Sequence, residues 1–138
     1  MALGILGDGM RRIVLTVGVA LLAVGNAAAE SRIERSLKML ALPERLVQLC
    51  DYTAMLRIRK EDRTFRPDRA VADATVPAKF VSQNKLEAGG GAFRSRGKWY
   101  GISYTCSASP DNMKVLSFKH KIGNEIPESK WAAYGLWE

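Results

Sequence analysis

Residues 92–122 read AFRSRGKWYGISYTCSASPDNMKVLSFKHKI, and this stretch decides the fold. Within residues 98–107, every second side chain is apolar or aromatic, and the side chains between them are mostly small or polar. Successive side chains of a strand point to opposite faces of a sheet, so this alternation predicts a central strand. Its inner face is predicted to carry Tyr100, Ile102, Tyr104 and Cys106.

A two-residue turn at residues 96–97 joins this strand to the strand before it. The glycine of the turn readily adopts the positive φ that a tight hairpin requires. The turn sets Phe93 opposite Tyr100 on the inner face. It also sets Arg94 opposite Trp99 on the outer face, where we expect an exposed cation–π contact.

A third antiparallel strand is predicted over residues 113–122, after the turn-forming segment SASPDN. We expect a three-residue loop at residues 110–112, because a two-residue loop would mix apolar and polar side chains on one face. The cross-strand pairs that this register predicts are Cys106–Leu116, Tyr104–Phe118 and Ile102–His120. Whether His120 is buried stays open at this point.

Residues 30–60 have the spacing of two amphipathic helices. Ser31 and Glu34 form a capping box at the start of the first helix, and Pro43 suits the first turn of the second. The inward face of the second helix is predicted to comprise Leu46, Leu49, Cys50, Thr53 and Leu56. Its solvated face is predicted to carry Glu44, Arg45, Asp51 and Arg59.

Residues 1–29 have the features of a secretory signal peptide. Two arginines precede an apolar run over residues 13–24, and an A-x-A motif ends at Ala29. The apolar run is too short to cross a bilayer as a helix. Cleavage after Ala29 predicts a periplasmic protein with one domain at residues 30–138. The first basic residues follow Met10, where we expect translation to start.

Cys50 and Cys106 are the two cysteines of the sequence. An even count in an exported protein indicates a disulfide, and both residues fall on inward faces, so the bond would join helix to sheet. The chain-entropy model values such a bond at about 4 kcal/mol. The alternative is a redox or metal pair, but the sequence has no C-x-x-C motif, and two cysteines with one histidine are a poor zinc set. No metal or cofactor is predicted.

The segments around the sheet are less regular, and residues 70–78 fit either a short strand or a helical turn. The remaining predictions are an ordered turn at residues 60–69, an edge strand at residues 80–81, a loop at residues 84–91, a turn at residues 123–124 and a short helix at residues 127–134. The fold class is therefore α+β, with two N-terminal helices packed on an antiparallel sheet of three or four strands and one disulfide.

The chain is basic, with a formal net charge of +7. Removal of the signal peptide takes away two arginines and one aspartate and leaves +6. For an exported protein the available anions are lipid headgroups, acidic polysaccharides and cell-wall polymers, so nucleic acid is not predicted as a partner. The simpler interpretation is that the charge keeps the domain soluble.

Four segments and a closing motif of the sequence are distinctive: LPERLVQLCDYTAMLRI, FRPDRAVA, GGAFRSRGKWYGISYTC and SFKHKIGNEIP, followed by W-x-x-Y. Together they resemble DUF930, a family of exported alphaproteobacterial proteins catalogued as a domain of unknown function. The resemblance extends over residues 42–136. It implies an envelope protein with a signal peptide and a paired cysteine, and it supplies no catalytic residues.

The residue pattern does not indicate an enzyme. His120 is the one histidine of the sequence, and its position among lysines and apolar residues favours a structural role. The acids Glu61 and Asp62 lie in a charged run that favours a solvated surface, and the glycines of residues 89–91 lack the context of a phosphate-binding loop. We expect a non-enzymatic protein without a cofactor.

One cluster of cations stands beside an aromatic residue at the first hairpin turn, and it comprises Arg94, Arg96, Lys98 and Trp99. Cations next to an exposed ring favour binding of a phosphate, a carboxylate or a sugar. Alternatively, these charges solvate a sheet edge and prevent strand association. The leading hypothesis is a periplasmic, envelope-associated protein that binds an anionic ligand here. The alternative is a protein-directed module, either an inhibitor or an assembly partner.

Overall fold

The computed structural model describes residues 32–138, so the predicted signal peptide, its predicted cleavage site and the predicted Ser31 cap lie outside the described residues. Helix α1 is described over residues 32–38. The elements that follow are α2 (Leu42–Glu61), β1 (Pro67–Val71), β2 (Lys79–Ser82), β3 (Lys85–Ser95), β4 (Lys98–Ala108), β5 (Val115–Glu125) and two 3-10 helices (Glu128–Lys130 and Ala132–Tyr134). The predicted α+β class is confirmed.

The sheet has five antiparallel strands, one more than the largest number predicted. Its order is β1-β3-β4-β5, and β2 also pairs with β3 beyond the end of β1. The long strand β3 therefore pairs with β4 along one side, while two short strands share its other side. The predicted edge strand at residues 80–81 is confirmed as the middle of β2.

The first hairpin follows the prediction. Arg96 and Gly97 both have positive φ, 53° and 77°, as a two-residue turn of this type requires. Phe93 pairs with Tyr100. The rings of both residues also contact Phe65, which comes from the segment that ends α2, so the ordered turn predicted there is confirmed.

The second hairpin differs from the predicted register by two residues. Tyr104 pairs with His120 and Cys106 with Phe118, so the predicted three-residue loop is wrong. The connection is longer because Asn112 adopts a positive φ of 54° inside the protein, where its Nδ2 donates to the carbonyls of Leu42 and Gln83. An even shift keeps each residue on its predicted face, since side chains alternate with a period of two.

Several side chains depart from their predicted environments. Leu116 was expected to face the core, but it lies at a β-bulge and is 69% exposed. Asp51 was expected on the solvated face of α2 but is 6% exposed. The buried stripe of α2 follows i, i+4 spacing more closely than predicted and leaves Leu56 exposed. Its members are Leu46, Leu49, Cys50, Asp51, Ala54 and Ile58.

The Cys50–Cys106 disulfide joins α2 to β4 across the core. The two Cα atoms lie 6.0 Å apart, and both cysteines are fully buried. This confirms the predicted connection between helix and sheet. The surrounding core brings together the inward side chains of α2, β3, β4 and β5.

From residue 85 onward, the glycine-rich segment predicted as a loop at residues 84–91 is part of β3, so the predicted loop is wrong. The segment after β1 crosses this strand: Thr75 donates its backbone N–H to the Gly90 carbonyl. A side chain at Gly90 would collide with Thr75 and Val76. The glycines therefore provide room for a crossing chain, and the undecided residues 70–78 form the end of β1 and this crossing.

The C-terminal segment packs against the outer end of the sheet. Strand β5 continues through the turn predicted at residues 123–124, and the predicted terminal helix is divided into the two 3-10 helices. Gly135 ends the second of them with a φ of 65°. Trp131 is buried, and its ring nitrogen donates to the Ile126 carbonyl.

Candidate functional site: a lysine groove on the outer face of the sheet

The outer face of the sheet, which lies opposite α2, is half covered. At the hairpin end the C-terminal segment packs on it and forms a second apolar cluster. The buried members of that cluster are Ala92, Trp99, Ile126, Trp131 and Leu136. Toward the other end of the strands this face is open, so two regions compete as candidate sites: the hairpin and the open half.

The hairpin cations are largely paired within the protein. The Arg94 guanidinium makes two hydrogen bonds to the Asp68 carboxylate, at 3.0 and 2.9 Å, and its side chain is 14% exposed. This pairing holds the pKa of Asp68 below its ordinary value. Lys98 lies 3.6 Å from a carboxylate oxygen of Glu125, and both side chains are exposed.

The prediction that Trp99 is exposed is wrong. The ring is fully buried, its Nε1 donates to the Trp137 carbonyl at 2.7 Å, and Arg94 lies 5.9 Å from the ring centroid. The cation–π contact is therefore present, but beneath the C-terminal segment. Trp137 contacts Trp99 edge-on and is itself 46% exposed. Arg96 remains exposed at the turn.

The open half of the outer face contains a groove of about 560 Å³. Its floor and walls come from β2, β3, β4, β5 and the crossing segment after β1. We call it the lysine groove, and its polar side chains are those of Lys79, Glu87, Ser103, Thr105, Lys119 and Lys121.

Strand register places these side chains in ordered rows. Glu87 pairs with Lys79 on one side and with Thr105 on the other, and Thr105 pairs with Lys119. The next row along the same face pairs Ser103 with Lys121. Along each strand these residues alternate with inward residues of the core, such as Tyr104 and Cys106 of β4. Because the inward residues are buried in the core, the polar side chains lie on the outer face.

The groove has an excess of positive charge that the protein does not neutralise. Its three lysines and Glu87 are exposed, and none of them forms an ion pair with another residue in the range 32–138. The hydroxyls of Ser103 and Thr105 also make no side-chain hydrogen bond within that range. The arrangement offers cations and hydroxyls to a ligand from solvent.

The groove continues into a second hollow of about 250 Å³ toward the C-terminal segment. The two hollows share Gly89, Ser103 and Lys121, so they form one elongated depression. Gly101 and Gly123 face each other there and expose backbone instead of side chains.

A buried acid lies on the opposite face of the same strands. The Tyr104 hydroxyl donates to Asp51 Oδ1 at 2.8 Å. Burial, with a smaller contribution from the nearby Asp73, raises the pKa of Asp51 to about 7 against the hydrogen bonds that lower it. Burial and the Asp51 charge also raise the pKa of Tyr104. The hydrogen bond between Asp51 and Tyr104 joins α2 to β4, and the Asp51 carboxylate does not line the groove.

His120 is paired with an acid of α2. Its Nε2 lies 3.6 Å from Glu61 Oε2, its side chain is 12% exposed, and its ring contacts Phe118. Among residues 32–138, no three His, Cys, Asp or Glu side chains are grouped so that they could hold a metal ion.

The groove residues were not selected from the sequence. The alternation of β5 placed Lys119 and Lys121 on the outer face, but nothing local indicated that this face stays open beside them. Glu87 was assigned to a loop and Lys79 lay next to an undecided segment. The pairing of β2 with β3 brings these residues together, and sequence periodicity does not specify which strands pair.

Comparisons with known proteins point to one family. The family model described as Domain of Unknown Function (DUF930) matches residues 37–136. No curated protein and no solved structure matches the chain significantly. Within residues 32–138, no helix combines the length and apolar character needed to cross a membrane.

Proposed function

Since the chain belongs to the DUF930 family, whose role is unassigned, we propose a function from its surface. The protein is a non-enzymatic, envelope-associated binding protein of the periplasm, and the lysine groove binds an anionic ligand. The observation that carries this proposal is the set of three exposed lysines around unpaired hydroxyls, without a neutralising partner among residues 32–138.

The groove is a better candidate than the basic hairpin for a physical reason. A cation that already makes a bidentate pair, as Arg94 does with Asp68, must lose that pair before it binds another anion. Within residues 32–138, the lysines of the groove have no such pair to lose. A concave site of this size also falls within the range of ~300–1,000 Å³ that small ligands occupy.

The hairpin is retained as a second, weaker anion site. Arg96 is exposed at its tip, Lys98 has one exposed ion pair, and Trp137 rather than Trp99 provides the exposed ring. Exposed ion pairs of this kind contribute little, so Lys98 can exchange Glu125 for a ligand.

The proposed compartment follows from the disulfide together with the predicted signal peptide. A buried disulfide forms and persists in an oxidising environment. We expect protein purified from its native envelope fraction to have a mass that begins at Glu30, and to react with an alkylating reagent only after reduction. A full-length mass with two free thiols would reject both the export and the periplasmic proposal.

The direct test of the groove removes three charges from it. We expect K79Q/K119Q/K121Q to bind dextran sulfate at least tenfold more weakly than the wild type, with a smaller dependence of affinity on salt. The matched control is K38Q/K60Q/K130Q, which removes three exposed lysines outside the groove. Equal losses in the two variants would show that net charge alone attracts the polymer, and would reject the groove as a site.

The same titration distinguishes the contribution of the hairpin to binding from that of the groove. The variant R96Q/K98Q is expected to reduce affinity for dextran sulfate by less than threefold, because the groove remains intact. A larger loss here than in the groove variant would move the anion site back to the hairpin. Stoichiometric co-purification of one protein, with no binding to any anionic polymer, would favour the protein-directed module.

A further inference from the structure

The lysines of the groove are distributed across the sheet and along one of its strands. Lys79 and Lys119 lie on β2 and β5, with β3 and β4 between them. Three interstrand spacings separate their backbones by about 14 Å. Lys119 and Lys121 are two residues apart on one strand, or about 7 Å. The cations therefore match several anionic groups distributed along an extended ligand.

The groove also lacks the features that hold a single phosphate tightly. Apart from the bulge at residues 89–90, the strands that form the groove are paired with one another, and backbone N–H groups used in pairing do not cradle a phosphate. Its cations are lysines, which act as point charges, and its lining includes no arginine for bidentate binding.

Glu87 is the most informative residue of the groove. Its carboxylate lies in the row between Lys79 and Thr105, exposed and without an ion pair among residues 32–138. A carboxylate at this position repels a ligand that is anionic along its whole length, such as a polyphosphate. It accepts a hydrogen bond from a ligand that carries a hydroxyl there.

The floor supports the same chemistry. Ser103 and Thr105 can both donate and accept hydrogen bonds, and they lie between the lysines of β5 and the carboxylate of Glu87. Beyond them the glycine-lined hollow gives a flat surface on which a ring can lie. Val76 and Pro77 add an apolar edge along one side.

From this pattern we infer that the ligand of the lysine groove is an acidic oligosaccharide, in which carboxylates alternate with neutral hydroxyls. The carboxylates bind the lysines of β2 and β5, and a sugar hydroxyl donates to Glu87. This inference rests on the proposed anion-binding function, but it makes a different prediction about the one acid in the groove.

The test compares E87Q with the wild type in calorimetric titrations of two probes, a tetramer of galacturonic acid and a short inorganic polyphosphate. Loss of a charge-assisted hydrogen bond is expected to weaken binding of the tetramer by about tenfold. Loss of a repulsive charge is expected to strengthen binding of the polyphosphate by about threefold. The matched control E128Q removes an exposed acid outside the groove and is expected to change neither affinity.

The outcomes separate this inference from the proposed function. Opposite effects of E87Q on the two probes support an acidic oligosaccharide. Stronger binding of both probes by E87Q retains an anion-binding groove but rejects the hydroxyl contact and the oligosaccharide. Wild-type binding of neither probe, with a folded protein by circular dichroism, rejects the proposed function and the inference together.

Discussion

The two faces of the sheet are built from the same strands but differ in what their side chains contact. On the inner face, Tyr104 and Cys106 of β4 lie in a closed apolar core beneath α2. On the outer face, Ser103 and Thr105 of the same strand face an open groove whose lysines have no ion-pair partner among residues 32–138. Alternate residues of one strand thus belong either to the stabilising core or to the proposed ligand surface.

This division teaches that stability and binding can be changed separately in this domain. Inner-face substitutions should alter the free energy of unfolding, and groove substitutions should alter affinity. The outer face itself is divided in this way. Its half around Trp99 is covered by the C-terminal segment and belongs to an apolar core, so substitutions there should alter the free energy of unfolding rather than affinity.

The largest expected effect comes from breaking the inner face at its covalent bond. C50A/C106A opens a connection between residues separated by 56 positions, and the chain-entropy model predicts a loss of about 4 kcal/mol in the free energy of unfolding. Urea denaturation measures the loss. Affinity for an anionic polymer should remain within twofold wherever the variant is folded, and a tenfold change would show that the two faces are coupled.

The buried acid gives the next largest effect and a dependence on pH. The pKa of Asp51 is raised to about 7 in the folded protein, above its ordinary value of 3.8. The stability that this group contributes is therefore complete below pH ~4, declines as pH rises toward 7, and is constant at higher pH. The decline corresponds to about 4 kcal/mol.

D51N should remove this decline, because an amide does not ionise. We expect the difference between D51N and wild-type unfolding free energies to move in favour of D51N as pH increases from 4 to 8. The matched control is E44Q, which removes an exposed acid of α2 away from the buried pair and should change the wild-type profile much less. A difference that is independent of pH would show that Asp51 is not protonated in the folded protein.

A smaller effect is expected at the boundary of the outer face. R94K keeps the charge but loses the bidentate contact with Asp68, and we expect a cost of about 1 kcal/mol in thermal or urea unfolding. The pKa of Asp68 is lowered by this contact, so the contribution is present near neutral pH and is lost as pH falls through the folded-state pKa. An equal cost at pH 2 and pH 7 would contradict this origin.

The smallest expected effect on stability comes from the open half of the same face. K119Q/K121Q should change the free energy of unfolding by less than ~0.5 kcal/mol, since exposed lysines without partners make little contribution. It should nevertheless weaken binding of the anionic polymer severalfold. A stability loss above 1 kcal/mol would place these lysines in the structural framework and remove the contrast between the faces.

Local periodicity predicted the inner face better than the outer one. Because side chains alternate with a period of two, the face of Tyr104 was right even though its partner in β5 was wrong by two residues. The position of Asn112, buried in contact with two distant carbonyls, sets the true register and leaves no periodic signal.

The candidate site depended on contacts that are distant in sequence. Trp99 lies on the outer face of β4, in line with small and polar residues. It is buried because the C-terminal segment packs on it, and the sequence of β4 does not indicate this. Asp51 follows a cysteine on a helix face where a charged residue is ordinarily solvated, and its burial requires the Tyr104 hydroxyl across the core. The groove needs the pairing of β2 with β3 across a glycine-rich strand.

The disulfide also determines how the domain would respond to mechanical tension. Force applied at the two ends of residues 32–138 would pass from α2 directly into β4, and the 56-position loop between the cysteines would carry no load. That loop includes β1, β2 and β3, and with them Lys79 and Glu87 of the groove. Roughly 190 Å of contour length stays locked until the bond is reduced, so a stretched molecule would keep most of its groove, including Ser103 and Thr105, within a closed covalent ring.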